Sequence, residues 1–271
     1  MAQFTATAWQ TRSGAVVTYA TQAPKESQRP VVVLLHGALR NAGVLLPWAD
    51  LLSDSADVVL VDLPGHGRSA PIAPATVAAM ADAVHDALKA ALPGRQLLLV
   101  GESLGGTVAL AIGGLADPAW IRAVFAADPP VTTAKLWSVA DNFRRVIASQ
   151  PDNPFFARFG RDAFGITPDD IEELIYYPLI GALRMPAVIA TGDIRLLPPR
   201  RLNGVTCLFD PVDQFVVANL YPDKARIHHI ANCGHLVLTD ATEACLRLIH
   251  ELLAEHMTAS DAPAAPTISS P

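Results

Sequence analysis

The amino-acid sequence predicts an α/β fold built on a mostly parallel, doubly wound sheet. Three observations point there. Short β-rich apolar runs alternate with segments of helical periodicity, the pattern of a sheet covered on both faces. A chain of 271 residues, 51% hydrophobic and 17% charged, can bury one large core, with or without an inserted cap. Residues 97–112 pass from an apolar run through a glycine-rich turn directly into a helical pattern, as a strand-to-helix join of such a sheet does.

Residues 4–9 and 16–21 read as an early strand pair. Buried strands follow at 31–35, 58–61, 97–100 and 121–126, with later ones at 205–209 and 226–230. Residues 76–92 set Val77, Met80, Val84, Leu88 and Ala91 at helical spacing and stop at Pro93-Gly94. The closing helix is expected to begin near Thr239-Asp240, with Glu243 as a capping-box partner and an apolar stripe of Leu246, Ile249, Leu252 and Leu253. Residues 257–271, rich in Ala, Pro, Ser and Thr, have nothing with which to build a core and are expected to be disordered.

One segment breaks the alternation. Residues 131–184 are long, helix-prone and aromatic, so a core of 1–130 and 185–256 is expected to carry a helical insertion there. Trp137, Phe143, Phe155, Phe159 and Tyr176 are candidates to line a substrate pocket; the simpler reading is a helical pair that buries its rings against the sheet.

Composition excludes several classes. A formal charge of -6 with only isolated basic pairs, Arg144-Arg145 and Arg200-Arg201, gives no nucleic-acid surface. No apolar run reaches the roughly 20 residues that span a bilayer, and the start lacks the basic and apolar segments of a secretory signal. Cys207, Cys233 and Cys245 are odd in number and without framework spacing, which fits reduced thiols and a cytoplasmic protein.

The chemistry concentrates at Gly101-Glu102-Ser103-Leu104-Gly105-Gly106. A serine with glycines two residues before and after it, between strand and helix, fits a nucleophile elbow. The tight turn strains the serine backbone and admits only small neighbours, while the helix N-terminus behind it favours developing negative charge. The bland alternative is a glycine-rich turn that lets strand and helix pack closely.

A serine needs a base. His235, in Asn232-Cys233-Gly234-His235 between the last strand and the last helix, lies on the same carboxyl edge of the sheet as Ser103. His85, His250 and His256 sit on helical stretches, and His228 and His229 within a strand. The imidazole in turn needs an acid, and three aspartates compete for that place. Asp213 and Asp210 leave the strand read at 205–209, and Asp193 follows the apolar run 187–190. Any of them could instead be a turn residue bonded to its own backbone. For the oxyanion, the amides of Leu104 and of Ala38, after Leu35-His36-Gly37, are the candidates, with His36 shaping the loop.

With these residues in view, the chain resembles the cap-domain branch of the α/β-hydrolase superfamily. Four motifs carry the resemblance in order: His36-Gly37, Asp62-Leu63-Pro64-Gly65-His66-Gly67-Arg68-Ser69, Gly101 to Gly106, and Cys233-Gly234-His235. It implies an eight-stranded, mostly parallel, doubly wound sheet, a Ser–Asp–His triad and a helical cap over the site. It places the acid after the penultimate core strand, which favours Asp213. The chain departs there, reading Asp210-Pro211-Val212-Asp213 where the family has a glycine-x-x-aspartate turn. The expectation is therefore a serine hydrolase acting on a small or medium apolar ester, thioester or lactone, without metal or organic cofactor. The serine, where related dehalogenases and epoxide hydrolases resemble one another in using aspartate, sets those chemistries aside. Carbon–carbon bond hydrolysis and acyl transfer use the same triad, and a non-catalytic ligand-binding protein is the reading of another class. A metal site of His228, His229, Cys233 and His235 is disfavoured because adjacent strand residues diverge. Dinucleotide binding fails for want of the middle glycine.

Overall fold

The computed structural model describes residues 4–20, 29–194 and 206–257. Eight strands form one sheet in the order β1-β2-β4-β3-β5-β6-β7-β8. They are β1 (Thr5–Thr11), β2 (Gly14–Ala20), β3 (Val31–Leu35), β4 (Asp57–Asp62), β5 (Leu97–Glu102), β6 (Ile121–Ala127), β7 (Ala187–Gly192) and β8 (Arg226–Ile230). β1 and β2 are antiparallel to each other and β2 to β4, while β4, β3, β5, β6, β7 and β8 run parallel.

β3 is apolar at every position, and its neighbours β4, β5 and β6 carry apolar runs, because both faces of the sheet are covered. Val31, Val33 and Leu35 point into one core layer and Val32 and Leu34 into the other. α1 (Leu46–Leu52) and α9 (Thr242–His256) cover the second layer; α2 (Val77–Ala91) and α3 (Leu104–Leu115) cover the first. The expected helix at 76–92 is α2, capped by Thr76, whose Oγ1 accepts from the Ala79 amide at 3.2 Å.

Between β6 and β7 the chain makes α4 (Trp137–Ser149), α5 (Pro154–Phe164) and α6 (Tyr177–Gly181). After β7 come α7 (Pro211–Leu220), then β8, the short α8 (Val237–Asp240) and α9. Among the described residues, no helix is long and apolar enough to cross a membrane.

Two expectations change. The strand read at 205–209 is not one: residue 205 lies outside the described residues, and 206–209 have no strand pairing. The amides of Leu208 and Phe209 donate instead to the carboxylate of Asp128, and the sheet position is filled by β7. The closing helix starts at Thr242 after Ala241, without a side-chain cap, because the chain after His235 first makes the separate turn α8. Thr21 and residues 258–271 of the expected tail lie outside the described residues.

Candidate active site

Ser103 follows β5 with φ +55 and ψ −122, a conformation that non-glycine residues adopt only under constraint. The constraint is steric and local. A Cβ on Gly101 would lie 2.2 Å from the Gly105 carbonyl oxygen, and one on Gly105 would lie 2.2 Å from that of Leu35. The Ser103 amide donates to the Ala127 carbonyl at 2.8 Å, tying the bend to β6. Leu104 opens α3, so its amide is among those without an intrahelical acceptor. The loop after β3 runs against the serine: a Cβ on Gly37 would lie 3.3 Å from that of Ser103. His36 shapes this loop, since its Nε2 accepts from the Leu63 amide at 3.0 Å. Burial pushes its imidazole down to about 3.

His235 arrives from the loop between β8 and α8. Its Nε2 lies 3.0 Å from Ser103 Oγ, and its Nδ1 lies 2.6 Å from Asp128 Oδ2. The structure thus brings Ser103 and His235 together. The carboxylate beside the imidazole is Asp128, which is not among the three aspartates expected from the sequence. Asp128 leaves β6 with φ +44 and is fully buried. It also accepts from Thr191 Oγ1 at 2.9 Å and from the amides of Phe209 at 3.0 Å and Leu208 at 2.7 Å. Four donors fix the plane of this carboxylate.

Of the three expected acids, Asp213 and Asp210 are engaged elsewhere. Asp213, buried in the first turn of α7, forms an ion pair with Lys135. It also accepts from Tyr177 Oη at 2.7 Å and Thr132 Oγ1 at 3.1 Å. Burial raises its carboxyl, with Lys135 the main opposing influence. Asp210 caps α7 in a reciprocal box with Asp213, which is the turn role weighed against catalysis for both. Asp193 is exposed after β7. A signal for Asp128 existed: it ends a buried strand at the carboxyl edge, immediately before Pro129-Pro130. An acid after any strand of that edge meets the same condition.

The loop at 62–69 is an anchor for the site. Asp62 Oδ1 accepts from the Ala42 amide at 2.8 Å, and its Oδ2 from Tyr19 Oη at 2.6 Å and the Arg68 amide at 2.9 Å. Above it, the His66 ring meets Phe155 and Phe159 edge-on, with centroids 5.8 and 4.9 Å away. Phe143 packs on Phe159 at 5.7 Å, and all three phenylalanines are buried. These rings thus pack on one another and on His66. Tyr176 donates to the Ala163 carbonyl at 2.9 Å, and Trp137 is 53% exposed. Two surface cavities, of about 580 and 340 Å³, lie at the amino ends of β7 and β8 and between α4 and α5, with none of Ser103, His235 or Asp128 in their walls.

The sequence profile of the alpha/beta hydrolase family matches residues 32–248. The chain belongs to that family. Among curated proteins, it is 28% identical over 261 residues to a pimeloyl-[acyl-carrier protein] methyl ester esterase of Methylococcus capsulatus, covering 83% of this chain and 95% of that protein. A protein of the same name from Chromobacterium violaceum is 46% identical over 82 residues, 30% of each chain. Among solved structures, a carboxylesterase of Bacillus subtilis superposes with a TM-score of 0.69 at 18% identity, covering 94% of this chain and 93% of that one. At such identity the likeness shows the fold alone.

Proposed function

We propose that this chain is a carboxylic ester hydrolase that works through an acyl-enzyme on Ser103, with His235 as general base and acid and Asp128 as the carboxylate orienting it. An ester hydrolase agrees with the family and with the esterases among its curated relatives. The observation that carries the serine reading is the continuous chain of contacts from Ser103 Oγ to His235 Nε2 at 3.0 Å and from His235 Nδ1 to Asp128 Oδ2 at 2.6 Å.

The chemistry follows from those contacts. His235 Nε2 takes the Ser103 proton as Oγ attacks the substrate carbonyl, and the resulting oxyanion faces the amides of Leu104 and Ala38. The tetrahedral adduct collapses, and the leaving alcohol takes the proton from Nε2. Water then attacks the acyl-serine, giving a proton to Nε2 that returns to Oγ as the acid departs. The helices between β6 and β7, residues 131–184 with their bounds, serve as a cap fastened through Phe155 and Phe159 to His66. The substrate is a small or medium apolar ester, thioester or lactone, and the acyl methyl esters for which the relatives are named belong in the same screen. The three free thiols, all buried, fit a reducing compartment such as the cytoplasm.

The test is reaction with a fluorophosphonate and hydrolysis of aryl and methyl esters by wild type and Ser103→Ala. Labelling and turnover confined to the wild type support the reading; turnover retained by Ser103→Ala removes it.

A further inference from the structure

Glu102, the residue immediately before the serine, has no part in the steps above. It is 1% exposed, an address a carboxylate tolerates only with partners. Its two oxygens reach two different loops. Oε2 accepts from Arg40 Nη1 at 2.8 Å, and Oε1 accepts from the Leu238 amide at 3.2 Å. Arg40 lies two residues beyond Ala38, and Leu238 lies in the first turn after His235.

The Ala38 loop needs such an anchor. Leu39 has φ +59, a left-handed conformation that a residue with a Cβ adopts only under constraint. The loop is held on its far side by the Ala42 amide on Asp62, and on the serine side by Arg40 on Glu102. Burial raises the Glu102 carboxyl, and the Arg40 guanidinium is the main opposing influence.

Resting on the serine-hydrolase reading, we infer that Glu102 is a positioning residue: through Arg40 and the Leu238 amide it sets the spacing of the Ala38 loop and the His235 loop around Ser103. It touches no reacting atom. Its loss therefore lowers the rate of the chemical step more than it weakens ground-state binding.

The experiment measures kcat and KM separately on an aryl ester, the fluorophosphonate labelling rate, and Tm, for wild type, Glu102→Gln, Arg40→Met and the double variant, with Ser103→Ala alongside. In Glu102→Gln one face of the amide must present N–H to a donor. Removing the Arg40 guanidinium relieves that conflict. We expect kcat and labelling to fall about 10- to 100-fold in Glu102→Gln, KM to stay within about twofold, and the double variant to recover part of the loss. Folded Glu102→Gln with wild-type kcat, a change confined to KM, or strictly additive effects would overturn the inference. Should Glu102→Gln fail to fold, Arg40→Met decides: a fall in kcat at unchanged KM supports the clamp, and wild-type kcat overturns it. Turnover by Ser103→Ala defeats the nucleophile reading and this inference together. An inactive Ser103→Ala beside an unaffected Glu102→Gln defeats the inference alone.

Discussion

Asp128 and His235 are 107 residues apart in sequence and 2.6 Å apart in the fold. Their contact joins the end of β6 to the loop after β8, across the end of the intervening β7. The carboxylate is held from the β7 side by Thr191 and from the following segment by the amides of Leu208 and Phe209. Segment 206–209 is thus shaped around Asp128 instead of pairing as a strand.

Asp128→Asn should lose roughly 10⁴ in kcat on an aryl ester, as removal of the orienting carboxylate does in protease triads. Asp213→Asn should stay within severalfold of wild type. Steady-state kinetics on folded protein compares the two directly, and the opposite ranking would return the acid to Asp213.

Lys135 and Asp213 tie the segment entering α4 to α7, with Tyr177 of α6 on the same carboxylate. Lys135→Met leaves Asp213 buried without its cation and should cost about 3–5 kcal/mol. Urea unfolding measures the cost. The kcat of the molecules that remain folded should change little, since this cluster is separate from Ser103 and His235.

Gly101→Ala and Gly94→Ala should differ sharply. At Gly101 the new Cβ falls 2.2 Å from backbone, so the elbow must move and both labelling and turnover should be lost. At Gly94, φ is +71 and no atom lies within 4 Å, leaving only the backbone penalty of about 1–2 kcal/mol. Thermal melts and activity of the pair check this.

Cys207, Cys233 and Cys245 are buried, and burial pushes each thiol from an ordinary 9.0 up to about 12. Iodoacetamide at pH 8 should leave all three unmodified in the native protein and alkylate them in denaturant, as read by mass spectrometry. Between those two pH values the unfolded chain releases thiol protons that the folded chain keeps. Stability present below pH 9.0 should therefore be lost progressively as pH rises toward 12. A flat alkaline melting profile would count against the burial of these thiols.

The features legible from residue order are local ones. The bend at Ser103 needs small residues at fixed offsets, so it is legible within six consecutive positions. The apolar runs of β3, β5 and β6 show that both faces are covered, and His235 follows from its place after the last strand. The carboxylate that meets His235 was not local. Asp128, Asp193 and Asp213 all sit where a carboxylate could approach the imidazole, and their own neighbours do not choose among them. Tertiary packing makes the difference: Asp128 and Asp213 are both buried, and the assembled fold sets which partners each carboxylate meets. Asp128 gathers Thr191, Leu208, Phe209 and His235, whereas Asp213 is taken by Lys135 and Tyr177. A buried charge settles where distant parts of the chain satisfy it, and that sum exists only once the sheet is assembled.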